Sequence, residues 1–301
     1  MLEVKKIVHR FKLKVINSKK ADLSREIDRP AIHRQGLELL DAAKITKGNH
    51  NVIGWGTKES KFLEKFSDKE REKILKKVLN NQSPLVILSI GVLPVVIETV
   101  LKVCNEFKIP LVVTDQHLAD ITMTVGWYIV KYLAQSTTIH GSLVVVNGVG
   151  VMIIGESGIG KSEAVLELVQ KGSAFVSDDS VILKRIGTEF VGEPAELTKD
   201  FLEARGIGLI NIPKIYGLRA TKDSVNVDLV VELLPSKALN TVDRLGNQNL
   251  KYEVLDGTIP KVQIPVENGR ALSSLIEAAV NVYTAKVHGH DPLEVISERN
   301  K

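Results

Sequence analysis

The chain has 301 residues, of which 44% are hydrophobic and 25% are charged, and its formal net charge is +4. This length allows a substantial buried core and predicts two domains. The single cysteine, Cys104, excludes an internal disulfide and favours a reducing compartment. The N-terminus lacks the uninterrupted apolar run of a signal peptide, and glycine, proline and charged residues interrupt the apolar region 85–103. We therefore expect a cytoplasmic protein with no membrane partner.

The charge is unevenly distributed along the chain. Residues 1–137 carry a net charge of +8 and residues 138–301 a net charge of −4. A basic front half could attract nucleic acid. Neither a zinc-finger spacing nor an aromatic RNA-binding run accompanies it, so the sequence favours a solvated lysine-rich surface and no nucleic-acid partner.

The front half combines helical and strand patterns. A helical pattern surrounds 37–43, and a charged helix is predicted over 61–79, with Ser67 and Asp68 able to cap its second half. Two short apolar runs, 85–88 and 110–114, flank a helix predicted over 94–107, whose apolar side holds Cys104 as a packing residue. A strand, a helix and a strand at this spacing predict a parallel βαβ unit. An amphipathic helix is expected over 121–133.

A polar joint at 135–138 separates two regions of different character, and we place the domain boundary near residue 134. Two β-branched runs, 143–147 and 149–154, surround Asn147-Gly148, which is a strong hairpin signal. A helix is predicted over 161–170, then strands over 174–176 and 181–186 and mostly β-type segments to about residue 265. The last predicted helix spans 271–287. The expected fold class is therefore α/β.

The segment GESGIGKS matches the phosphate-loop pattern G-x-x-x-x-G-K-[ST], between a predicted strand and a predicted helix. Its glycines let successive backbone N–H groups converge on an anion, and the helix that follows adds its dipole. Lys161 would reach the β- and γ-phosphates, and the Ser162 hydroxyl would hold Mg²⁺. The predicted nucleotide-binding residues are Gly155, Glu156, Ser157, Gly158, Ile159, Gly160, Lys161 and Ser162.

Phosphoryl transfer also needs a carboxylate, and Asp178 and Asp179 follow the strand predicted over 174–176. We expect this pair at the end of a neighbouring strand, beside the loop. Adjacent residues on an extended chain point to opposite sides, so one of the two would face the phosphate, and the pattern does not say which. His140 becomes a candidate only if the hairpin returns it to this pair, since a lone histidine here is more often structural.

A second glycine-containing segment, LEARGIGLINI, carries Glu203 and Arg205 two residues apart. Glu203 could ligate Mg²⁺ as a hard oxygen donor, and Arg205 could clamp phosphate through two hydrogen bonds. The pattern alone is equally compatible with a surface ion pair. Arg244 and Arg270 are ordinary surface arginines on the pattern alone.

The chain resembles the bacterial HPr kinase/phosphorylase family in three segments of its second half, namely HGSLVVVNGVGVMIIGESGIGKSEAVLELV, SDD and LEARGIGLINI. Two stretches of the front half, DRPAIHRQGLEL and ESKFLEKFS, fit the family as well. The resemblance implies a small N-terminal α/β domain of uncertain role over 1–133. It implies a catalytic phosphate-loop domain over 134–301 whose nucleotide core is similar to phosphoenolpyruvate carboxykinase and which ends in a helix.

The same resemblance implies the reaction and its partners. Such enzymes phosphorylate a regulatory serine of the phosphocarrier HPr with Mg²⁺ and ATP, or with pyrophosphate. They remove the phosphate by phosphorolysis, in which inorganic phosphate attacks and pyrophosphate is released. Members control carbon catabolite repression and are typically homohexamers.

Carried over residue by residue, the resemblance makes Asp179 the general base in phosphorylation and the general acid in the reverse reaction. Lys161 and Ser162 keep the roles given above, and Glu203 becomes a second Mg²⁺ ligand. His140 and Arg244 match positions treated as catalytic. The further site residues expected are Asp178, Arg205, Gly206, Gly208, Pro265, Gly269 and Arg270.

One segment departs from the family, whose pattern for dephosphorylation resembles P-V-[KR]-x-G-R-N. Here the segment reads PVENGRA, so that Glu267 replaces a basic residue, Asn268 follows it and Ala271 replaces the asparagine. An acidic side chain at this place would weaken anion binding. We therefore hypothesise that phosphorolysis is impaired relative to kinase activity.

Other nucleotide-binding classes fit less well. A GTPase would need an N-K-x-D element, and a eukaryotic-type protein kinase would need H-R-D and D-F-G elements, which this sequence lacks. Two alternatives stay open: a phosphate-loop kinase of a small metabolite, and a nucleotide-sensing DNA-binding regulator that would need no base at Asp179.

Overall fold

The computed structural model describes residues 1–36, 50–237, 249–267 and 269–291. The chain divides into two compact units, Met1–Ala134 and Gln135–Lys301. The helical pattern predicted around 37–43 lies outside the described residues. Among the described helices, none is both long enough and apolar enough to cross a bilayer.

The N-terminal unit contains a four-stranded sheet whose strands all run parallel and follow one another in chain order. The first two strands of the unit form a separate antiparallel pair. The strands are β1 (Leu2–Glu3), β2 (Glu26–Ile27), β3 (Ile32–His33), β4 (Val52–Trp55), β5 (Val86–Leu88) and β6 (Leu111–Val113), and the parallel sheet is β3-β4-β5-β6. The described helices are α1 (Val4–Arg10), α2 (Thr57–Leu63), α3 (Asp68–Leu79), α4 (Pro94–Glu106), α5 (Leu118–Ile121) and α6 (Trp127–Leu133), with a π-helical turn at Thr122–Gly126.

Both faces of this parallel sheet are buried, as parallel sheets require. Along β5, Val86 and Leu88 pack with α2, α3 and α4, whereas Ile87 packs with α1, α5 and α6. Cys104 belongs to the first of these clusters, and burial raises the pKa of its thiol to about 12. The thiol therefore stays protonated and acts as a packing group, as predicted.

The predicted βαβ unit is present as β5, α4 and β6. The charged helical pattern over 61–79 forms two helices, because α2 ends at Leu63 and α3 begins at Asp68, where the sequence placed a cap. Ser67 is the N-cap residue of α3, and its N–H and hydroxyl donate to the Glu70 carboxylate at 3.0 and 2.7 Å. This capping box confirms the cap expected at Ser67. The helix predicted over 121–133 is also confirmed, and it contains a π-helical turn at Thr122–Gly126.

The C-terminal unit contains a six-stranded mixed sheet, a four-stranded antiparallel sheet and a two-stranded hairpin. Its strands are β7 (Gln135–His140), β8 (Ser142–Val146), β9 (Val149–Gly155), β10 (Ala174–Ser177), β11 (Ser180–Ile186), β12 (Glu189–Pro194), β13 (Phe201–Ala204), β14 (Gly208–Asn211), β15 (Val225–Asn226), β16 (Leu229–Leu234), β17 (Lys251–Val254) and β18 (Gly257–Pro265). Its described helices are α7 (Lys161–Gln170), α8 (Ile212–Tyr216) and α9 (Leu272–Val287), with a 3-10 turn at Leu218–Ala220. The strand orders are β10-β8-β9-β16-β18-β17, β15-β12-β11-β7 and β13-β14.

The mixed sheet carries the phosphate loop at the end of β9. The predicted hairpin at Asn147-Gly148 is confirmed, with φ values of 50° and 85° at the two turn residues and Val146 paired with Val149. One face of the sheet packs against α7, α9 and the β13–β14 hairpin, and the other packs against the four-stranded sheet. The chain is therefore a mixed α/β protein with parallel strands in both units.

We expected the strand that leads to Asp178 and Asp179 to lie directly beside β9, but in the structure it does not. β8 lies between β9 and β10 and runs antiparallel to both. β10 consequently runs in the same direction as β9, and its carboxyl end reaches the same edge of the sheet as the phosphate loop. The predicted nearness of the aspartates to the loop therefore holds, although the strand order was wrong.

Gly150→Ala should destabilise the C-terminal unit. A Cβ at this position would lie 1.8 Å from the backbone oxygen of Asn226. The backbone has little freedom to move, because Gly150 N donates to Asp228 Oδ2 at 2.8 Å and Asp228 N donates to Gly150 O at 2.9 Å. We expect a loss of about 2–3 kcal/mol in the free energy of unfolding, measured by urea denaturation.

The matched control is Gly126→Ala in the π-helical turn. There the nearest atom to an added Cβ is Thr122 Cγ2 at 3.7 Å, which is an ordinary van der Waals contact. This variant should be neutral or slightly stabilising, since alanine favours helical backbone. Equal stability of the two variants would contradict the close approach at Gly150.

Candidate active site

The phosphate loop connects the end of β9 to the start of α7. Gly155, Gly158 and Gly160 have φ values of 150°, 80° and 107°, a region that L side chains rarely adopt. Gly160 is the N-cap residue of the ten-residue α7, so the loop ends at the positive end of a helix dipole. The backbone thus has the conformation and the polarity of an anion-binding loop.

Lys161 begins α7 and folds back over the loop. Its Nζ donates to the carbonyl oxygens of Gly155 and Glu156 at 2.9 and 3.0 Å, and the residue is 7% exposed. The positive charge of Lys161 therefore lies at the mouth of the loop, where two carbonyl oxygens accept its hydrogen bonds. Phosphate oxygens can replace these carbonyl oxygens as acceptors.

Asp178 is a buried carboxylate on which three elements converge. Its Oδ1 accepts hydrogen bonds from the hydroxyl groups of Ser142 at 2.6 Å and Ser162 at 3.2 Å. Its Oδ2 accepts a longer bond, of 3.4 Å, from the backbone N–H of Glu203. The carboxylate thus ties the start of β8, the first turn of α7 and β13 together. The residue is only 4% exposed, so these bonds take the place of water.

Asp179, the next residue, has a different environment. Its φ value is +65°, and its carboxylate is 73% exposed. His140 Nδ1 lies 3.1 Å from Asp179 Oδ1 and 3.0 Å from Asp179 O, because β7 and β11 pair His140 with Ser180. The pairing of β7 with β11, rather than the hairpin, thus brings His140 to the aspartate pair, and His140 becomes a candidate site residue.

Glu203 and Arg205 approach the loop from the hairpin. An added Cβ at Gly158 would lie 3.1 Å from Nη2 of Arg205, so the guanidinium packs directly against the phosphate loop. These groups line a small cavity of about 130 Å³. Its lining residues are His140, Ser157, Gly158, Gly160, Lys161, Ser162, Glu163, Asp178, Asp179, Glu203 and Arg205.

The sequence left open which of the two aspartates faces the phosphate loop, and both line this cavity. They do so in different ways, because Asp178 is buried and hydrogen-bonded to Ser162 whereas Asp179 is exposed beside His140. The alternation expected of an extended chain does not apply, since Asp179 has left the extended conformation.

Several other predicted residues do not line the cavity. Gly206 lies in the turn of the β13–β14 hairpin and Gly208 is the first residue of β14, with φ values of 80° and 100°. Arg270 lies in the segment after β18, where its Nε is 2.9 Å from Glu267 Oε2. Five further predicted site residues also do not line the cavity, namely Gly155, Glu156 and Ile159 of the loop, and Pro265 and Gly269. Arg244 and Asn268 lie outside the described residues.

Ser142 is a site residue that the sequence reasoning missed. It is fully buried and donates the shortest of the hydrogen bonds to Asp178. Its position in HGSLV, directly between His140 and the hairpin, was the available signal. A serine at the start of a strand has no distinctive pattern, so its partner could be found only from the tertiary structure.

The oxygen atoms at this site suit Mg²⁺. Within the described residues, no three histidine, cysteine, aspartate or glutamate side chains form a group that could hold a metal ion. Mg²⁺ in nucleotide sites takes few protein ligands, however, because phosphates and water supply the others. The Ser162 hydroxyl and the Asp178 carboxylate are hard oxygen donors 3.2 Å apart, and Glu203 lines the same cavity. This donor set fits a magnesium ion bound together with phosphate.

A larger cavity, of about 850 Å³, lies between α9 and the strands β17 and β18. None of the predicted site residues lines it, and its walls are mainly apolar. Phosphoryl transfer requires polar groups around the reacting phosphate, so the smaller cavity is the candidate active site.

Two family models match the chain. Residues 2–129 match the HPr Serine kinase N terminus, and residues 131–300 match the HPr Serine kinase C-terminal domain. The HPr kinase/phosphorylase of Mycoplasmopsis pulmonis is 38% identical over 301 residues, covering 99% of this chain and 97% of the relative. That of Streptococcus pneumoniae is 36% identical over 297 residues, covering 98% of this chain and 94% of the relative.

A solved structure of the HPr(Ser) kinase/phosphatase from Coxiella burnetii was also matched. It is 31% identical, with a TM-score of 0.49, and the match covers 53% of this chain and 98% of that structure.

Asp178→Ala and Asp179→Asn should separate the two aspartates by their effect on stability. Removing the Asp178 carboxylate leaves the buried Ser142 hydroxyl without its partner, which should cost about 1–3 kcal/mol in the free energy of unfolding. Asparagine tolerates the left-handed backbone at the exposed position 179, so Asp179→Asn should change stability by less than about 0.5 kcal/mol. Urea denaturation measures both, and a larger loss for Asp179→Asn would refute this assignment.

Proposed function

The chain belongs to the HPr kinase/phosphorylase family, and on that premise we propose how its residues carry out the reaction. The activity is that of an HPr serine kinase/phosphorylase. One observation carries the residue-level proposal: the exposed carboxylate of Asp179 and the phosphate loop line the same small cavity.

The loop 155–162 is the proposed binding site for the phosphates of ATP, or of pyrophosphate as an alternative donor. Lys161 would exchange its two carbonyl contacts for the β- and γ-phosphates. Ser162 and Asp178 would hold Mg²⁺, with Glu203 as a further ligand. When bound, the ion neutralises negative charge on the phosphate oxygens. Arg205, which packs against Gly158, would stabilise the charge of the transferring phosphoryl group.

Asp179 is the proposed general base. Its carboxylate is exposed and so can reach a serine hydroxyl presented by a protein, and His140 Nδ1, 3.1 Å away, orients it. The buried Asp178 is unsuited to this task, because its oxygens already accept hydrogen bonds from Ser142 and Ser162. Arg244, assigned by family resemblance, would add positive charge near the phosphate.

In the forward direction, the serine oxygen forms a bond to the γ-phosphorus while the bond between that phosphorus and the β-phosphate oxygen breaks. The serine proton passes to Asp179, and ADP leaves. In the reverse direction, an oxygen of inorganic phosphate attacks the phosphoserine phosphorus. The bond to the serine oxygen then breaks, Asp179 returns the proton to serine, and pyrophosphate is released.

Further features are proposed from the family resemblance. They are a catalytic domain over 134–301, with a nucleotide core similar to phosphoenolpyruvate carboxykinase, and a domain over 1–133 of undetermined role. A homohexameric assembly, a cytoplasmic location and control of carbon catabolite repression complete the proposal.

Asp179→Asn should abolish most phosphoryl transfer while leaving nucleotide binding intact. Loss of a general base should lower kcat for phosphorylation of HPr by about 10²–10⁴-fold. The affinity for ATP should stay within about twofold, because the variant keeps the phosphate loop and the Asp178 contacts. Transfer from labelled ATP with Mg²⁺ measures the first quantity, and calorimetry measures the second.

Glu163→Gln is the matched control, since Glu163 is a carboxylate that lines the same cavity and has no assigned role. It should keep most of the transfer activity. Undiminished phosphorylation of HPr by Asp179→Asn would refute the assignment of the base.

Glu267→Gln should raise the rate of phosphorolysis by about two- to fivefold, with the kinase rate unchanged. Glu267 holds Arg270 in an ion pair of 2.9 Å, which supports the hypothesis that this segment binds anions weakly. Neutralising Glu267 should free the guanidinium for phosphate. Pyrophosphate release from phospho-HPr in excess inorganic phosphate measures the effect.

Glu253→Gln serves as the control for loss of one negative charge, because Glu253 is exposed on β17. A phosphorolysis rate for Glu267→Gln equal to that of this control would disprove the inhibitory role of Glu267.

A further inference from the structure

A cavity of about 290 Å³ lies in the N-terminal unit, at the carboxyl edge of the parallel sheet. Each of the four strands contributes to its lining through the segment that follows it. The lining residues are Arg34 after β3, Gly56, Thr57, Lys58 and Glu59 after β4, Ser89 and Ile90 after β5, and His117, Leu118 and Ala119 after β6. Ligands of open α/β sheets bind outside the carboxyl ends of the strands, so this is the position of a ligand site.

The charged groups of this cavity favour a ligand with one negative charge. Arg34 and Lys58 are positive and Glu59 is negative, so two positive charges and one negative charge leave a net charge of +1 with His117 neutral. The surrounding unit is basic as well, since residues 1–137 carry a net charge of +8, and a basic unit attracts anions. A carboxylate matches the charge of the cavity better than a phosphate dianion does.

Arg34 is placed to bind such a carboxylate. Its Nη1 lies 3.6 Å from Oε1 of Glu59, which is an ion-pair distance but is longer than a hydrogen bond. Oε2 of Glu59 accepts a hydrogen bond of 2.9 Å from the backbone N–H of Gly56. The Glu59 side chain is 9% exposed and the Arg34 side chain is 54% exposed. The carboxylate therefore holds the guanidinium at the rim of the cavity, and this contact leaves guanidinium donors available to a ligand.

Ser89 provides a buried hydroxyl with a poor hydrogen bond. The residue is 4% exposed, and its Oγ donates to the carbonyl oxygen of Ile90 at 3.4 Å, whereas hydroxyl hydrogen bonds are usually about 2.7–2.8 Å long. An added Cβ at Gly56 would lie 3.0 Å from this Oγ, so the glycine leaves room beside the hydroxyl. A buried polar group without a good partner is costly, and an oxygen atom of a ligand would satisfy it.

We propose that this cavity binds a small metabolite with one carboxylate group. Arg34 would donate to the carboxylate oxygens, and the hydroxyls of Ser89 and Thr57 would bond the carboxylate or a hydroxyl of the ligand. Ile90 and Leu118 would contact its apolar part. Ligand pockets usually have volumes of about 300–1,000 Å³, so this cavity restricts the ligand to a small molecule. The N-terminal unit would thereby have a ligand of its own, independent of the phosphoryl transfer proposed for the C-terminal unit.

Tryptophan fluorescence can detect this ligand separately from the phosphate loop, because both tryptophans, Trp55 and Trp127, lie in the N-terminal unit. Trp55 directly precedes Gly56, and its Nε1 donates to the carbonyl oxygen of Arg34 at 2.5 Å. The full chain carrying Trp127→Phe, with Trp55 as its single tryptophan, is titrated with acetate, lactate and butyrate at constant ionic strength. At least one of them should give a saturable change in fluorescence with a Kd below about 10 mM.

Two variants test the residues. Arg34→Gln should weaken this binding about tenfold or more, since it removes charge-assisted hydrogen bonds. Ser89→Ala should weaken it about three- to tenfold. The urea midpoint of Ser89→Ala should be unchanged, because the hydrogen bond that it loses is long. Arg29→Gln, which removes an exposed positive charge of the same unit outside the cavity, is the matched control and should leave the affinity unchanged.

Saturable binding that is weakened in Arg34→Gln and retained in Arg29→Gln would support the site. No saturable change with any of the three acids would overturn it, as would equal affinities in these two variants. Binding of inorganic phosphate in place of the three acids, with the same loss in Arg34→Gln, would overturn the assignment of a carboxylate. If Arg34→Gln fails to fold, Ser89→Ala decides by the same criterion. The titration uses neither HPr nor ATP, so its failure would leave the proposed phosphoryl transfer intact.

Discussion

The active site depends on one buried carboxylate. Asp178 lies at the end of β10 and accepts hydrogen bonds from β8, from the first turn of α7 and from β13. A buried charge is tolerated only when hydrogen bonds compensate its lost hydration. The three elements must therefore keep their mutual positions for the unit to be stable. The phosphate loop and the hairpin that carries Glu203 are thereby fixed about a single point, and the small cavity between them keeps its shape.

In the proposed mechanism the two adjacent aspartates have different tasks, since Asp178 supports the site and would hold Mg²⁺, whereas Asp179 would exchange the proton. A carboxylate that fixes three elements is unsuited to exchange a proton, because protonation would disrupt the bonds that hold it. Asp179 avoids this conflict, since its left-handed backbone turns its side chain away from the buried network and towards solvent and His140. The left-handed backbone at this position thus permits two consecutive residues to serve the same cavity in separate roles.

Local features of the site could be predicted from the sequence, and non-local ones could not. The glycine pattern specifies loop 155–160 because three of its residues need φ values that only glycine adopts readily. Asn147-Gly148 specifies a two-residue hairpin for the same reason. Both signals lie within a few residues of the structure they determine.

The order of β10, β8 and β9 depends instead on pairing between distant segments, so no local pattern indicated that β8 intervenes. The role of Ser142 was missed for the same reason, because its partner is 36 residues away. The start of α3, by contrast, could be predicted, because its capping residue Ser67 lies directly before the helix that it caps.

The β13–β14 hairpin joins the core of the unit to the phosphate cavity. Its alternation directs Leu202 and Ala204 into the core, which fixes the hairpin to the rest of the unit. The same alternation leaves Glu203 and Leu209 together on the outer face, with one side chain at the phosphate cavity and the other in solvent. Two groups that line the phosphate cavity, Glu203 and Arg205, are therefore carried by an element that is packed into the core. Positioning of reacting groups to within about 0.5 Å requires such packed support.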